Sequence, residues 1–158
     1  MGIFPHRGST SDFFRVAPGR ILKTPMKVCD GVPNREALEE RNGASIAVEK
    51  QILERLGNHP EIVPYLGPQS PGIILSEAPF GSLQAFVDTN TPMSSSHGWK
   101  LCEQAAEAVV HVHSKGVIHL DLRPENFLVH RITSRGALAR PLWWINVRRP
   151  RTGWRTLA

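Results

Sequence analysis

The run Val117-Ile118-His119-Leu120-Asp121-Leu122-Arg123-Pro124-Glu125-Asn126-Phe127-Leu128-Val129 constrains this chain more than any other stretch. Apolar, strand-like residues stand on both sides of a polar loop that contains a proline. Within the loop one Asp and one Asn lie five positions apart. Such a loop can hold a carboxylate over a hydroxyl while the amide oxygen of the Asn faces a hard cation.

The 158 residues suit one ordinary domain, and the apolar content of 41% is that of a globular chain. Two cysteines, Cys29 and Cys102, are too few and too far apart for a disulfide framework. No apolar run approaches the roughly 20 residues needed to span a bilayer. The start, Met1-Gly2-Ile3-Phe4-Pro5-His6, lacks the apolar core of a signal peptide and has His6 where a myristoylation motif requires Ser or Thr. The expectation is a soluble intracellular protein, in cytoplasm or nucleus, with no membrane partner. The net charge of +5 is uneven: residues 1–125 hold twelve Lys or Arg against fourteen Asp or Glu (−2), and residues 126–158 hold seven Arg and no acid (+7). The basic character belongs to the tail, which lacks clean periodicity and reads as poorly ordered. A nucleic-acid partner for that tail is the lesser expectation.

Residues 1–27 read as strands joined by tight turns, with Arg20-Ile21-Leu22-Lys23 a strand after the turn Ala17-Pro18-Gly19. A charged segment, Arg35 to Arg41, is expected to be helical. A further helix is read from Ser45 to Leu56, where Ile52, Leu53 and Leu56 follow helical spacing and Gly57-Asn58-His59-Pro60 ends it. Glu49 falls on that apolar face and requires a partner, because an unpaired buried charge is costly; Lys23 is the natural candidate. Ile73-Ile74-Leu75 reads as a buried strand. Ser82 then caps a short helix carrying Leu83, Phe86 and Val87. A second helix runs from about Gly98 to Ser114, with Leu101, Ala105, Ala108 and Val112 as its core stripe. His111 and His113 lie two apart on different helix faces and make a poor metal pair.

The opening run resembles the catalytic loop of protein kinases, H-R-D-L-x-x-x-x-N, with Leu120 for the Arg and Arg123 where Lys is usual. Lys23 resembles the lysine of V-A-I-K, and the Val48–Leu56 segment with His59-Pro60-Glu61-Ile62-Val63 is similar to the family's αC helix and the strand beyond. Gly8-Ser9-Thr10-Ser11-Asp12-Phe13-Phe14-Arg15-Val16 occupies the place of the glycine-rich loop; Gly8 remains, while Ser11 and Phe14 stand where glycine is the rule. Ser76-Glu77-Ala78-Pro79 resembles the hinge, with Ser76 the gatekeeper.

The resemblance implies an α+β fold: a five-stranded small lobe with a helix (8–76), a hinge (77–81) and the first part of a mainly helical large lobe (82–130). It implies transfer of the γ-phosphoryl of ATP, with Mg2+, to a protein hydroxyl of Ser/Thr or Tyr type. In that scheme Asp121 orients the hydroxyl proton, Arg123 sits beside the γ-phosphate and Asn126 holds the metal. Gly8, Ser11, Val16, Lys23, Glu49, Glu77, Ala78 and Pro79 form the ATP site. His119 is structural. No acidic residue follows Glu125, so the D-F-G segment finds only Asn146 in Trp144-Ile145-Asn146-Val147-Arg148 as a place-holder. The domain therefore reads as truncated before D-F-G, with weak or absent turnover. A non-catalytic kinase-like nucleotide-binding or scaffold module is the alternative.

Overall fold

Four consecutive buried residues, Ile21 to Thr24, lie at the centre of the first of two structural units. The computed structural model describes residues 10–89, 92–119, 121–130 and the backbone of 140–143. Ile21 to Thr24 belong to β2 (Arg20–Pro25), which is antiparallel to β1 (Ser11–Ala17) on one side and to β4 (Gly72–Ser76) on the other. β3 (Tyr65–Gln69) completes the sheet in the order β1-β2-β4-β3. A strand buried at successive residues has both faces out of water, which explains why β2 does not alternate. Ile73, Ile74 and Leu75 of β4 continue that core.

The five strands expected for this unit number four among the described residues, and the stretch before Thr10 lies outside them. A second difference concerns the strand after the helix. Ile62 and Val63 are buried, but the strand begins at Tyr65 and carries Leu66, Gly67 and Pro68. Its place at the sheet edge accommodates the proline, which has no N–H to give to a ladder.

The two helical segments read from the sequence are one helix, α1 (Arg35–Leu56). Gly43 does not interrupt it, because strong helix formers flank that position and a single Gly costs only about 1 kcal/mol. Its buried residues Asn42, Ile46, Glu49, Ile52, Leu53 and Leu56 recur at three- and four-residue steps, which puts them on one face. Gly57, at φ +65, supplies the left-handed residue that ends it.

The second unit comprises Leu56–Pro64 and the described residues from Ala78 onward. In α2 (Leu83–Thr89) the Ser82 hydroxyl accepts from the Ala85 N–H at 3.2 Å, as the sequence predicts. α3 (Ser95–Ser114) starts three residues before Gly98, because Ser94 caps it by accepting from the His97 N–H at 3.3 Å. Its buried stripe is Leu101, Gln104, Ala108 and Val112, with Gln104 rather than Ala105 inside. His111 reaches back through Nε2 to the Leu56 carbonyl at 2.9 Å and stacks on His59 at 4.0 Å between centroids.

β5 (Phe127–His130) is bordered on both sides. Phe80 N–H donates to the Val129 carbonyl at 3.3 Å and Val129 N–H to that of Gly81 at 2.8 Å. The other side is β6 (Arg140–Trp143), antiparallel from Phe127↔Trp143 to His130↔Arg140. Within the segment read as poorly ordered, these four residues form a strand. A hairpin partner for β5 is not legible there, since Arg-Pro-Leu-Trp has no strand alternation. Trp144 to Arg148, with Asn146, lie outside the described residues. No helix among the described residues is long and apolar enough to cross a membrane.

Candidate functional site

In the first unit Lys23 and Glu49 meet. β2 presents Lys23 from the middle of its buried run, and α1 presents Glu49 from its inward stripe. The Lys23 Nζ donates to Glu49 Oε1 at 2.8 Å and Oε2 at 2.6 Å, with side-chain exposures of 3% and 4%. The ammonium also stands 5.6 Å from the centroid of the Phe13 ring. Burial pushes the Lys23 ammonium below its ordinary value of 10.5, opposed by the charge of Glu49. Burial likewise pushes the Glu49 carboxyl above its ordinary 4.5, opposed by Lys23. For each group the charge of the other opposes the effect of burial.

Two further side chains of α1 reach the segment that leaves β2. Asn42 Nδ2 donates to the Met26 carbonyl at 2.8 Å, and Glu39 Oε1 accepts from the Val28 N–H at 3.0 Å. The inward face of Asn42 had a sequence signal, since it lies seven positions before Glu49, but its partner Met26 did not. Gly72 lies hard against β2: a Cβ there would stand 1.9 Å from the Lys23 carbonyl oxygen.

Ser11 is the first residue of β1 and is buried, and Val16 lies near its end. The segment compared with a glycine-rich loop is therefore extended strand from Ser11 onward. It has no glycine there, and Phe13, Phe14 and Val16 favour a pleated ladder. Gly8 lies outside the described residues. Glu77 donates its N–H to the Gly19 carbonyl at 3.0 Å, and its carboxylate is bound by Arg15, a partner that sequence reading did not identify. Ala78 is buried, its carbonyl accepting from Gly81 N–H at 3.3 Å, and Pro79 is exposed.

In the second unit the loop is built around Asp121. His119 is buried, and its Nδ1 accepts from the Asp121 N–H at 3.1 Å, which fixes the neutral ring with the proton on Nε2. Burial lowers the His119 pKa from its ordinary 6.5, with Asp121 pulling the other way. Asn126 is buried and donates through Nδ2 to the Asp121 carbonyl at 2.7 Å. Pro124 opens the 3-10 turn Pro124–Asn126, whose Asn126 N–H closes on the Arg123 carbonyl at 2.9 Å. Asp121 Oδ1 lies 3.3 Å from Arg123 Nε, and Oδ2 is buried with no hydrogen-bond partner among the described residues. One carboxylate oxygen is restrained and the other waits for a donor.

The protein kinase domain model matches residues 22–137. The serine/threonine-protein kinase PKH3 of Eremothecium gossypii is 29% identical over 78% of this chain and 18% of its own length. The serine/threonine-protein kinase RAD53 of Saccharomyces cerevisiae is 27% identical over 63% of this chain and 12% of its own. Calcium-dependent protein kinase 11 of Arabidopsis thaliana is 29% identical over 63% of this chain and 21% of its own. The chain thus spans about a fifth or less of these relatives. With the matched residues holding both Lys23–Glu49 and the Asp121 loop, the chain belongs to the protein kinase domain family.

Proposed function

We propose that this chain carries the nucleotide-gripping and catalytic-loop parts of a serine/threonine protein kinase, which moves the γ-phosphoryl of ATP to a protein hydroxyl. The observation that carries the reading is the buried Lys23–Glu49 pair. A buried ion pair is a poor source of stability, because desolvation offsets its attraction. A cation held rigid in a dry place is well suited to a polyphosphate.

In this reading Lys23 grips the α- and β-phosphates and Glu49 fixes its ammonium. Gly8, Ser11 and Val16 belong to the segment over the phosphates, and backbone groups of Glu77, Ala78 and Pro79 meet the adenine edge. The Asp121 carboxylate takes the hydroxyl proton, and Arg123 neutralises charge developing on the transferred group. Asn126 suits magnesium by its donor chemistry: Nδ2 is engaged by Asp121, leaving the carbonyl oxygen for a hard cation. Bound there, magnesium supplies neutralisation of phosphate charge. The names of PKH3 and RAD53 support Ser/Thr rather than Tyr as acceptor, in line with Pro124-Glu125. Residues 127–158 hold no Asp or Glu to share the metal with Asn126, so transfer by these 158 residues alone is expected to be weak.

The second reading, a nucleotide-binding module without transfer, is favoured by the same lack of acid and by Ser11 and Phe14 in an extended β1. Calorimetric titration with Mg-ATP and radiolabel transfer to a generic protein substrate decide between them. Binding is expected in the parent chain, to weaken about tenfold or more in Lys23→Met and to persist in Asp121→Asn. Transfer is expected to be slow and lost in Asp121→Asn. Binding without transfer selects the second reading. A folded chain that does not bind Mg-ATP refutes both.

A further inference from the structure

We propose that Asn42 and Glu39 are positioning residues that hold α1 at the register where Glu49 reaches Lys23. Three side chains of α1 bond to one short segment of chain, in strict order. Glu39 takes the Val28 N–H at 3.0 Å, Asn42 gives to the Met26 carbonyl at 2.8 Å, and Glu49 takes the Lys23 ammonium at 2.6 and 2.8 Å. As the segment runs back from 28 to 23, the helix partner advances from 39 to 49.

The lengths are compatible. Ten helical steps cover about 15 Å, and the five residues from 28 back to 23 can reach at most about 18 Å. The segment is therefore long enough to run alongside the helix with all three rungs made. Slippage of α1 by one turn, about 5.4 Å, would break all three rungs together.

Asn42 is the critical rung. It is a buried amide on an apolar stripe, and its Nδ2 is engaged by the Met26 carbonyl. The Met26 N–H is already given to the Thr10 carbonyl at 3.0 Å, so both polar groups of that residue are committed and its position is fixed from two sides. Glu39 adds a rung nearer the surface, which Arg35 steadies from one turn earlier at 3.3 Å.

The consequence for nucleotide binding rests on the function proposed above, but the positioning itself is read independently. The readout is the rate at which an amine-selective acylating reagent modifies Lys23, followed residue by residue by mass spectrometry on the whole chain. Lys50, on the same helix and 40% exposed, serves as internal reference. Asn42→Leu and Glu39→Ala are expected to raise the Lys23 rate by roughly fivefold or more through local opening of the rungs, with Lys50 unchanged. Glu39→Gln keeps an acceptor for the Val28 N–H and is expected to behave as the parent.

In a Glu49→Leu background, which leaves no acceptor for the Lys23 ammonium, Asn42→Leu is expected to add little, because the contact it positions is already gone. A merely structural role would give the same increment in both backgrounds. A parental Lys23 rate in folded Asn42→Leu or Glu39→Ala, or equal increments in both backgrounds, overturns the proposal. If Asn42→Leu does not fold, Glu39→Ala decides alone. Mg-ATP affinity measured in parallel is expected to fall in the variants that free Lys23. A parent chain that binds no nucleotide, with the labelling result intact, refutes the kinase reading and leaves the positioning standing.

Discussion

Lys23 and Glu49 pair inside the protein, and removing either one leaves a buried charge without its counter-charge. Lys23→Met or Glu49→Leu alone is expected to destabilise the first unit by about 3–5 kcal/mol, and the pair Lys23→Met with Glu49→Leu by much less. Urea titration of the three variants checks the non-additivity. His119 gives a prediction with a sign. Its folded pKa lies below the ordinary 6.5, so under that pH the unfolded chain takes up a proton that the folded chain refuses. Stability of the second unit is expected to fall as pH drops from 6.5 toward the folded value. Melting temperatures at pH 7.5 and 5.5 for the parent and His119→Asn isolate this group, since the other titrating residues are common to both. The Lys23–Glu49 contact was legible because a carboxylate on the apolar face of a helix requires a partner. Arg15 with Glu77 and Asn42 with Met26 were not, because a surface Arg and a helix Asn have many innocuous uses, and only tertiary contact selects one.

Among the elements, α1 offers two glycines with opposite expectations. Gly43 sits inside the helix with open space where a Cβ would go, so Gly43→Ala is expected to stabilise by roughly 0.5–1 kcal/mol. Gly57 is at φ +65, and Gly57→Ala is expected to destabilise by about 1–2 kcal/mol. Denaturant midpoints of the two variants should move in opposite directions. Two helix ends were well read, since Gly57 closes α1 and Ser82 opens α2, whereas the Ser94 cap of α3 was missed. The join across Gly43 was misread because glycine lowers local propensity, whereas the rungs from Glu39 and Asn42 hold the helix through that point. β3 was misplaced because a burial signal at Ile62-Val63 outweighed an edge strand that is mostly exposed and contains proline.

For the whole molecule, charge and edge protection are linked. A chain cut after residue 139 loses β6 and uncovers one side of β5. The same cut removes Arg140, Arg148, Arg149, Arg151 and Arg155 and no acid, which takes the net charge from +5 to 0. An open strand edge and a vanishing net charge both favour self-association. Light scattering is expected to show concentration-dependent assembly of the shortened chain, where the full chain stays dispersed. The α+β class followed from the family resemblance, and most of the helices and strands from periodicity and turn residues. β6 did not, because its pairing depends on β5 rather than on any pattern of its own.

The closeness of Gly72 to the Lys23 carbonyl has a consequence for sequence variation. Every alternative at that position, alanine included, pushes a carbon into the backbone that carries the ammonium. A saturation library scored for nucleotide retention should therefore return one letter at 72, while its cross-strand partner Gln69, exposed to water, tolerates many. The tightest constraint in the strand would then fall on a residue with no chemistry at all.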